Sequence, residues 1–195
     1  MRHWPVVLAS GSPRRKELLL ELIDDFEVVL SDVDEEALTR EDPVETAETL
    51  ALAKAQAVQR LRMESLVIGG DTVVALREGS GFLQLAKPAS NQLAVEMLSM
   101  LSGREHVVVT GVALVWPNGE RVFSEVTKVT FKSLSRSEIE AYVATGESLD
   151  KAGGYASQGG AASFISKLEG SRSNVIGLPL ERLREEFRSI TETSA

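Results

Sequence analysis

The sequence predicts an α/β fold built on a mixed sheet. Two observations carry this. Short apolar runs rich in β-branched residues, such as Val6-Val7-Leu8-Ala9 and Leu66-Val67-Ile68, alternate with segments whose apolar residues recur at helical spacing. Two long β-rich runs, His106 to Val115 and Arg121 to Phe131, are separated only by Pro117-Asn118-Gly119, a hairpin signal that brings antiparallel pairing into the sheet.

In chain order, Val6 to Ala9 reads as a buried strand stopped by Ser10-Gly11-Ser12-Pro13. Leu18, Leu19, Leu22, Ile23 and Phe26 then keep helical spacing, with Ser12 suited to the N-cap and Pro13 to the first helical position. Phe26 to Leu30 reads as a second strand, and acidic Asp32 to Asp42 as an exposed loop. Pro43 opens a helix towards Met63. Leu66 to Gly70 reads as a third buried strand ending at Asp71; Val73 to Leu76 and Phe82 to Leu85 flank a Gly79-Ser80-Gly81 turn. Ala89 to Leu101 is a helix closed by Gly103, and Ser135 to Ala144 a helix whose Ser135 and Glu138 match a capping box. Pro179 to Ile190 is the last helix, and Thr191 to Ala195 reads as a frayed, disordered tail. No repeat or linker divides the chain, so residues 1–195 read as one functional unit.

Composition removes several function classes. Among 195 residues there is no cysteine, which excludes a disulfide scaffold, a thiolate nucleophile, an iron–sulfur cluster and a cysteine zinc site. Two histidines, His3 and His106, cannot build a multi-histidine metal centre. A Ser–His–Asp hydrolase needs only one, but neither histidine has a motif around it, and His106 reads as a sheet residue. Lys and Arg number 21 against 29 Asp and Glu, a net charge of −8, and aromatics are only 5%. That balance argues against a nucleic-acid binder. No apolar run approaches the roughly 18–20 residues of a membrane span or the core of a signal peptide, so the expected location is cytoplasmic. In so acidic a chain, a polyanionic substrate requires positive charge gathered locally or supplied by a metal ion.

Six segments could supply that chemistry, and each has a plain alternative. Three cations, Arg14, Arg15 and Lys16, occupy a helical first turn that normally favours acids. Behind Ser10-Gly11-Ser12 they suit a bound phosphate, or else a solvated basic turn; the Walker spacing is absent. Asp71, after Gly69-Gly70, reads as a carboxylate at the ligand-binding edge of an α/β sheet, or as an ordinary turn residue. Lys54 shares an apolar helical stripe with Leu50, Ala57 and Leu61, and either snorkels or enters a pocket. Lys87, before Pro88, is a cation between a strand and a helix, or simply exposed. Residues 146–160 hold five of the 15 glycines, with Asp150, Lys151 and Gln158 as polar handles, and read as a ligand loop or a flexible connection. Asp32 to Glu36 is a Mg²⁺-capable cluster or a solvated loop.

The order of these segments is more telling than any one of them. Ala9-Ser10-Gly11-Ser12-Pro13-Arg14-Arg15, Asp34-Glu35, Ala53-Lys54-Ala55, Gly70-Asp71-Thr72-Val73-Val74, Lys87-Pro88, Met97 to Gly103, Asp150-Lys151-Ala152-Gly153-Gly154-Tyr155, Gln158-Gly159 and Gly177-Leu178-Pro179-Leu180 follow one another along the chain. This resembles the Maf family of nucleoside triphosphate pyrophosphatases, over roughly Val7 to Leu183. The resemblance implies an α/β fold of the inosine triphosphate pyrophosphatase-like kind: a mixed sheet flanked by helices, with two lobes around a central cleft, in a homodimer. It implies hydrolysis of a nucleoside triphosphate to the monophosphate and pyrophosphate with a divalent metal, Mg²⁺ or Mn²⁺, and no nucleic-acid or membrane partner. The Asp-Lys-Ala-Gly segment with a later Gln-Gly resembles members acting on dTTP and UTP; members preferring 7-methyl-GTP carry Glu where this chain has Gln158. By the same resemblance the catalytic positions fall on Asp71, the proton acceptor, with Glu35, Lys54 and Lys87, and the metal positions on Glu35 and Asp71. The substrate-binding positions fall on Ser10, Ser12, Arg14, Arg15, Thr72, Lys151 and Gln158; of these Arg14, Thr72 and Gln158 match positions tied to substrate choice, and Thr72 and Gln158 are expected to read the base edge. Gly70 stands where the family usually has Ala, and Ala156-Ser157 where Gly or Ala and then Ile are usual. Three other readings remain: a nucleotide-binding regulator of septum formation without turnover, a phosphomonoesterase, and a pyrophosphatase preferring another base, such as 7-methyl-GTP or CTP.

Overall fold

Strand β3 (Leu66–Glu78) is the axis of the molecule, and everything near the cleft is placed by what pairs with it. The computed structural model describes residues 4–192, so His3 and residues 193–195 of the expected tail lie outside the described residues. Among the described residues seven strands form one sheet, in the order β2 (Glu27–Val28), β1 (Val6–Ala9), β3, β5 (Glu105–Trp116), β6 (Gly119–Phe131) and β7 (Ile165–Glu169), with β4 (Gly81–Leu85) also on β3. β1 runs parallel to both β2 and β3; the other pairs are antiparallel, so the sheet is mixed.

β3 crosses the point where the sequence suggested a strand end. It pairs with β5 from Val67 to Ala75 along one edge. Along the other edge it pairs with β1 up to Gly69 and with β4 from Val74 onwards. Gly70 to Val73 therefore sit at a gap in that edge, beside the carboxyl end of β1. Asp71 is a mid-strand residue, left open by the gap rather than by a strand terminus.

The alternation of β3 fills both faces of the sheet. Ile68 joins Leu8, Leu19, Leu114 and Leu183 in a core under α1 (Pro13–Leu20) and α7 (Leu180–Glu192). Leu76 joins Leu98, Leu101, Phe131, Ile139 and Phe164 in a second core with α4 (Asn91–Leu101) and α5 (Arg136–Val143). On the opposite face, Val67, Val73 and Ala75 meet α3 (Pro43–Gln59). α3 lies very close to the sheet. A Cβ on Gly69 would sit 2.3 Å from the Ala51 carbonyl oxygen, and one on Gly111 2.3 Å from the Ala47 carbonyl group. The glycines thus make room for a helix backbone, a use distinct from the turn expected of Gly69. Neither partner atom is a side chain that can swing aside, so Gly111→Ala is expected to lose about 3 kcal/mol of stability, at the upper end of overpacking costs. Urea denaturation checks this; a loss under about 0.5 kcal/mol would show that α3 can simply ride up.

Local chemistry sets the helix starts. Ser12 caps α1 with Pro13 at the first position, Asp42 caps α3, Ser90 caps α4, and the Ser135–Glu138 capping box opens α5. Five elements differ from expectation. β2 is only two residues, pairing with Val7 and Leu8 of β1. The acidic loop contains a short helix, α2 (Glu35–Leu38), capped by the Asp34 side chain. β7 and α6 (Arg172–Ile176) were not anticipated; both are short, and β7 gains its partner from distant β6. α7 continues through Thr191 and Glu192, two residues into the expected tail.

Candidate active site

The gap in β3 opens into a cavity of about 870 Å³, within the usual range of small-molecule sites. All eleven side chains singled out from the sequence line it. Adjacent residues of β3 serve opposite faces. Asp71 turns towards α3 and Thr72 towards α1, so the cleft wraps the strand edge and draws groups from both layers.

On the α3 side, Lys54 is almost fully buried. Its Nζ donates to Asp71 Oδ1 at 2.6 Å and meets Glu35 Oε1 at 2.7 Å. The lysine therefore enters the pocket instead of snorkelling, a consequence of the close descent of α3 onto Gly69. Asp71 Oδ2 has no hydrogen-bond partner among the described residues. Burial pushes the Glu35 carboxyl up, but the Lys54 hydrogen bond and charge, helped by Lys87 and Arg15, hold it below the usual carboxylate range. Lys87 stands exposed at the rim.

On the α1 side, Arg15 folds back over Gly70, where an added Cβ would lie 3.3 Å from its Nε. It donates Nε to the Gly177 carbonyl at 2.8 Å, Nη1 to Ser10 Oγ at 3.2 Å and Nη2 to Thr72 Oγ1 at 2.9 Å. All three acceptors are neutral, and Arg15 makes no ion pair among the described residues. Desolvation lowers its pKa against the attraction of Asp71, and the charge of Arg14 adds to the lowering. A desolvated guanidinium aligned by neutral groups next to a second cation has the charge and the donors to take up an anion. Ser10 Oγ also accepts from the Ser12 N–H at 3.2 Å, and Ser12 Oγ accepts from the Arg15 N–H at 3.4 Å, so both serines shape the turn beneath the guanidinium.

The glycine-rich segment closes the cleft. Asp150 pairs with Arg14 at 3.2 Å and with Lys151, tying the segment to the first turn of α1. Burial raises the Asp150 carboxyl, but hydrogen bonds from Lys151 and Arg14 outweigh it and hold the pKa down. Lys151 Nζ also donates to the Glu147 carbonyl at 2.6 Å. Gly153 takes φ of 68°, and a Cβ there would meet Val74 Cγ1 at 2.8 Å, so glycine lets the segment seat on β3. Gln158 is exposed at the rim. Behind the wall, His106 shares a 2.8 Å hydrogen bond with Tyr155, and burial lowers its pKa to about 4. It is neutral at pH 7 and braces the wall as a packed residue.

The chain matches the Maf-like protein family model over residues 5–190. It belongs to the Maf-like family. It is 47% identical over 186 residues to the dTTP/UTP pyrophosphatase of Desulforamulus reducens, covering 94% of this chain and 95% of that one. It is 45% identical over 185 residues to the dTTP/UTP pyrophosphatase of a Geobacillus species, covering 95% and 97%. A solved HAM1 protein from Coxiella burnetii superposes over 96% of this chain and all of that one with a TM-score of 0.52, and at 16% identity it speaks for the fold alone. The sheet order and the mixed strand directions thus describe this Maf-like chain within a wider architecture.

Two residues near the site escaped the sequence reading. Thr110 lies in the run Val107 to Val112, and Asn174 in the segment before Gly177; both are fully buried. The signal for Thr110 was a lone hydroxyl in an otherwise apolar central strand, which must find a partner. The carbonyl of Gly177, an Arg15 acceptor, carries no sequence signal of its own.

Proposed function

We propose that this Maf-like chain hydrolyses nucleoside triphosphates, with dTTP and UTP preferred, to the monophosphate and pyrophosphate. The observation that carries the reading is the charge gathered at one cleft. Arg14, Arg15, Lys54, Lys87 and Lys151 face Glu35, Glu36, Asp71 and Asp150 there, five cations against four carboxylates, in a chain of net charge −8. The names carried by relatives of nearly equal length supply the bases.

The residues divide the work by side of the strand. Arg15 and Arg14 hold the polyphosphate tail, Lys87 and Lys151 add charge from the rim, and Lys54 orients Asp71 through its Oδ1. Asp71 accepts the proton of the attacking water at its free oxygen. That water oxygen bonds to the α-phosphorus, the α–β anhydride bond breaks, and pyrophosphate departs with its charge met by the arginines. Gln158, an exposed amide at the rim, supplies donors and acceptors to a base edge.

Glu35 and Asp71 converge on a single ammonium, and this pair of hard oxygen donors fits Mg²⁺ or Mn²⁺. Among the described residues no cluster of three or more His, Cys, Asp or Glu suits a metal, so the substrate oxygens would complete the shell. When bound, the cation supplies positive charge at the phosphates. No helix among the described residues is long and apolar enough to cross a membrane.

Incubation with the eight common nucleoside triphosphates and Mg²⁺ tests the reading. Pyrophosphate released fastest from dTTP and UTP is the expected result. Orthophosphate would make the chain a phosphatase, and binding without turnover would make it a regulator.

A further inference from the structure

Arg15 sits at the head of a hydrogen-bond chain that runs away from the cleft into the sheet. Its Nη2 donates to Thr72 Oγ1 at 2.9 Å. Thr72 Oγ1 lies 3.0 Å from Thr110 Oγ1, and Thr110 Oγ1 donates to the Asn174 carbonyl at 2.9 Å. The direction of the chain is forced at both ends. A guanidinium only donates and a carbonyl only accepts. Thr110 therefore spends its single proton on Asn174, and the proton between the two threonines belongs to Thr72. Thr72 consequently has no O–H left for a substrate base; its outward partner is Arg15.

The far end of the chain is anchored. Asn174 is fully buried, and its Nδ2 donates to the Val108 carbonyl at 3.0 Å and to Thr127 Oγ1 at 2.9 Å. Its backbone N–H is capped by Ser171 Oγ at 3.2 Å. Three residues on, Gly177 offers the carbonyl that takes Arg15 Nε. One buried amide on α6 thus fixes the ends of two of the three contacts that orient the guanidinium. Hydroxyl chains of one direction strengthen each bond in turn, most of all away from water.

We propose that Thr110 and Asn174 are positioning residues for phosphate recognition: through Thr72 they hold the Arg15 guanidinium in the orientation that grips the polyphosphate. The proposal rests on the anion-binding half of the function given above, and it reassigns Thr72 from reading a base edge to aiming Arg15.

The test uses inorganic pyrophosphate as a probe, with no turnover required. Thr110→Val keeps the shape of the side chain and removes the hydroxyl. The expected result is an about tenfold weaker Kd for pyrophosphate by calorimetry, and an about tenfold higher KM for dTTP, with kcat within about twofold. Thr110→Ser, which restores the hydroxyl and loses only a methyl, recovers most of the affinity. In an Arg15→Lys background, which cannot form the same planar contacts, Thr110→Val should weaken pyrophosphate no further. If Thr110→Val does not fold, Thr110→Ala removes the hydroxyl without adding a methyl group in its place and carries the same expectation. An unchanged Kd in the folded variant, or a full tenfold loss that adds to Arg15→Lys, overturns the proposal. A wild-type chain that binds pyrophosphate but turns over no triphosphate leaves it standing and removes only the hydrolytic reading.

Discussion

Asp71→Asn is expected to slow pyrophosphate release from dTTP by about 1000-fold, the middle of the range for loss of a positioned base, while the chain folds as before. The two halves of that expectation have separate physical grounds. Asparagine keeps the shape of the side chain and an oxygen for Lys54, but it carries no charge and does not take a proton at neutral pH. The free Oδ2 of Asp71 becomes either an amide nitrogen or a weakly basic carbonyl, so the attacking water loses its acceptor. Lys54 is not stranded, because Glu35 remains 2.7 Å from its Nζ. The stability cost should therefore stay near 1 kcal/mol, well short of that for an unpaired buried charge. Pyrophosphate affinity should be retained, since Arg15 and its partners are untouched. A kcat within tenfold of wild type, measured by pyrophosphate release, would take the proton-acceptor role away from Asp71.

How much of this site could be read from the sequence depends on the range of the physics involved. Helix starts are local: Ser12 with Pro13, and Ser135 with Glu138, cap their own backbones, and both were legible. Hairpins are nearly as local, and the turns at Gly79 to Gly81 and Pro117 to Gly119 join the strands they announced. Asp71 was legible as a residue but misplaced as a strand end. The glycines before it resembled a turn, and only the position of α3, laid down by a segment about twenty residues earlier, shows that Gly69 admits a helix. Gly111 carries the same message, and nothing around it in the sequence says so. Lys54 read more readily as a snorkelling residue, because a stripe of residues does not reveal how near the helix comes to the sheet. Thr110 and Asn174 were not legible as parts of the site, since they bond to each other and to Thr72, the Val108 carbonyl and the Thr127 hydroxyl, all brought together only by the fold. What the sequence hides here is depth: how closely two layers approach, and what they bring together.

Lys54→Met tests that depth directly. In the wild-type chain one nearly buried ammonium neutralises two carboxylates that approach it from β3 and from α2. Methionine fills the same space without charge, leaving Asp71 and Glu35 facing each other inside the cleft. Removing one partner of a buried ion pair costs about 3 kcal/mol, which for a chain of this size is a fall of roughly 6–12 °C in Tm. The penalty should depend on pH with a definite sign. Lys54 holds the Glu35 carboxyl below its ordinary range, so its contribution is complete above that range and fades as pH falls through it. The gap between wild type and variant is thus widest at neutral pH and narrows on acidification, as the Glu35 carboxylate takes up its proton and no longer repels its neighbour. A divalent cation should narrow it too. With the ammonium gone, Mg²⁺ is the remaining means of neutralising the pair, and it should raise the Tm of Lys54→Met more than that of the wild-type chain, whose lysine competes for the same oxygens. An equal shift in both proteins would place the cation elsewhere and strip Glu35 and Asp71 of the ligand role, whatever the enzyme's activity requires.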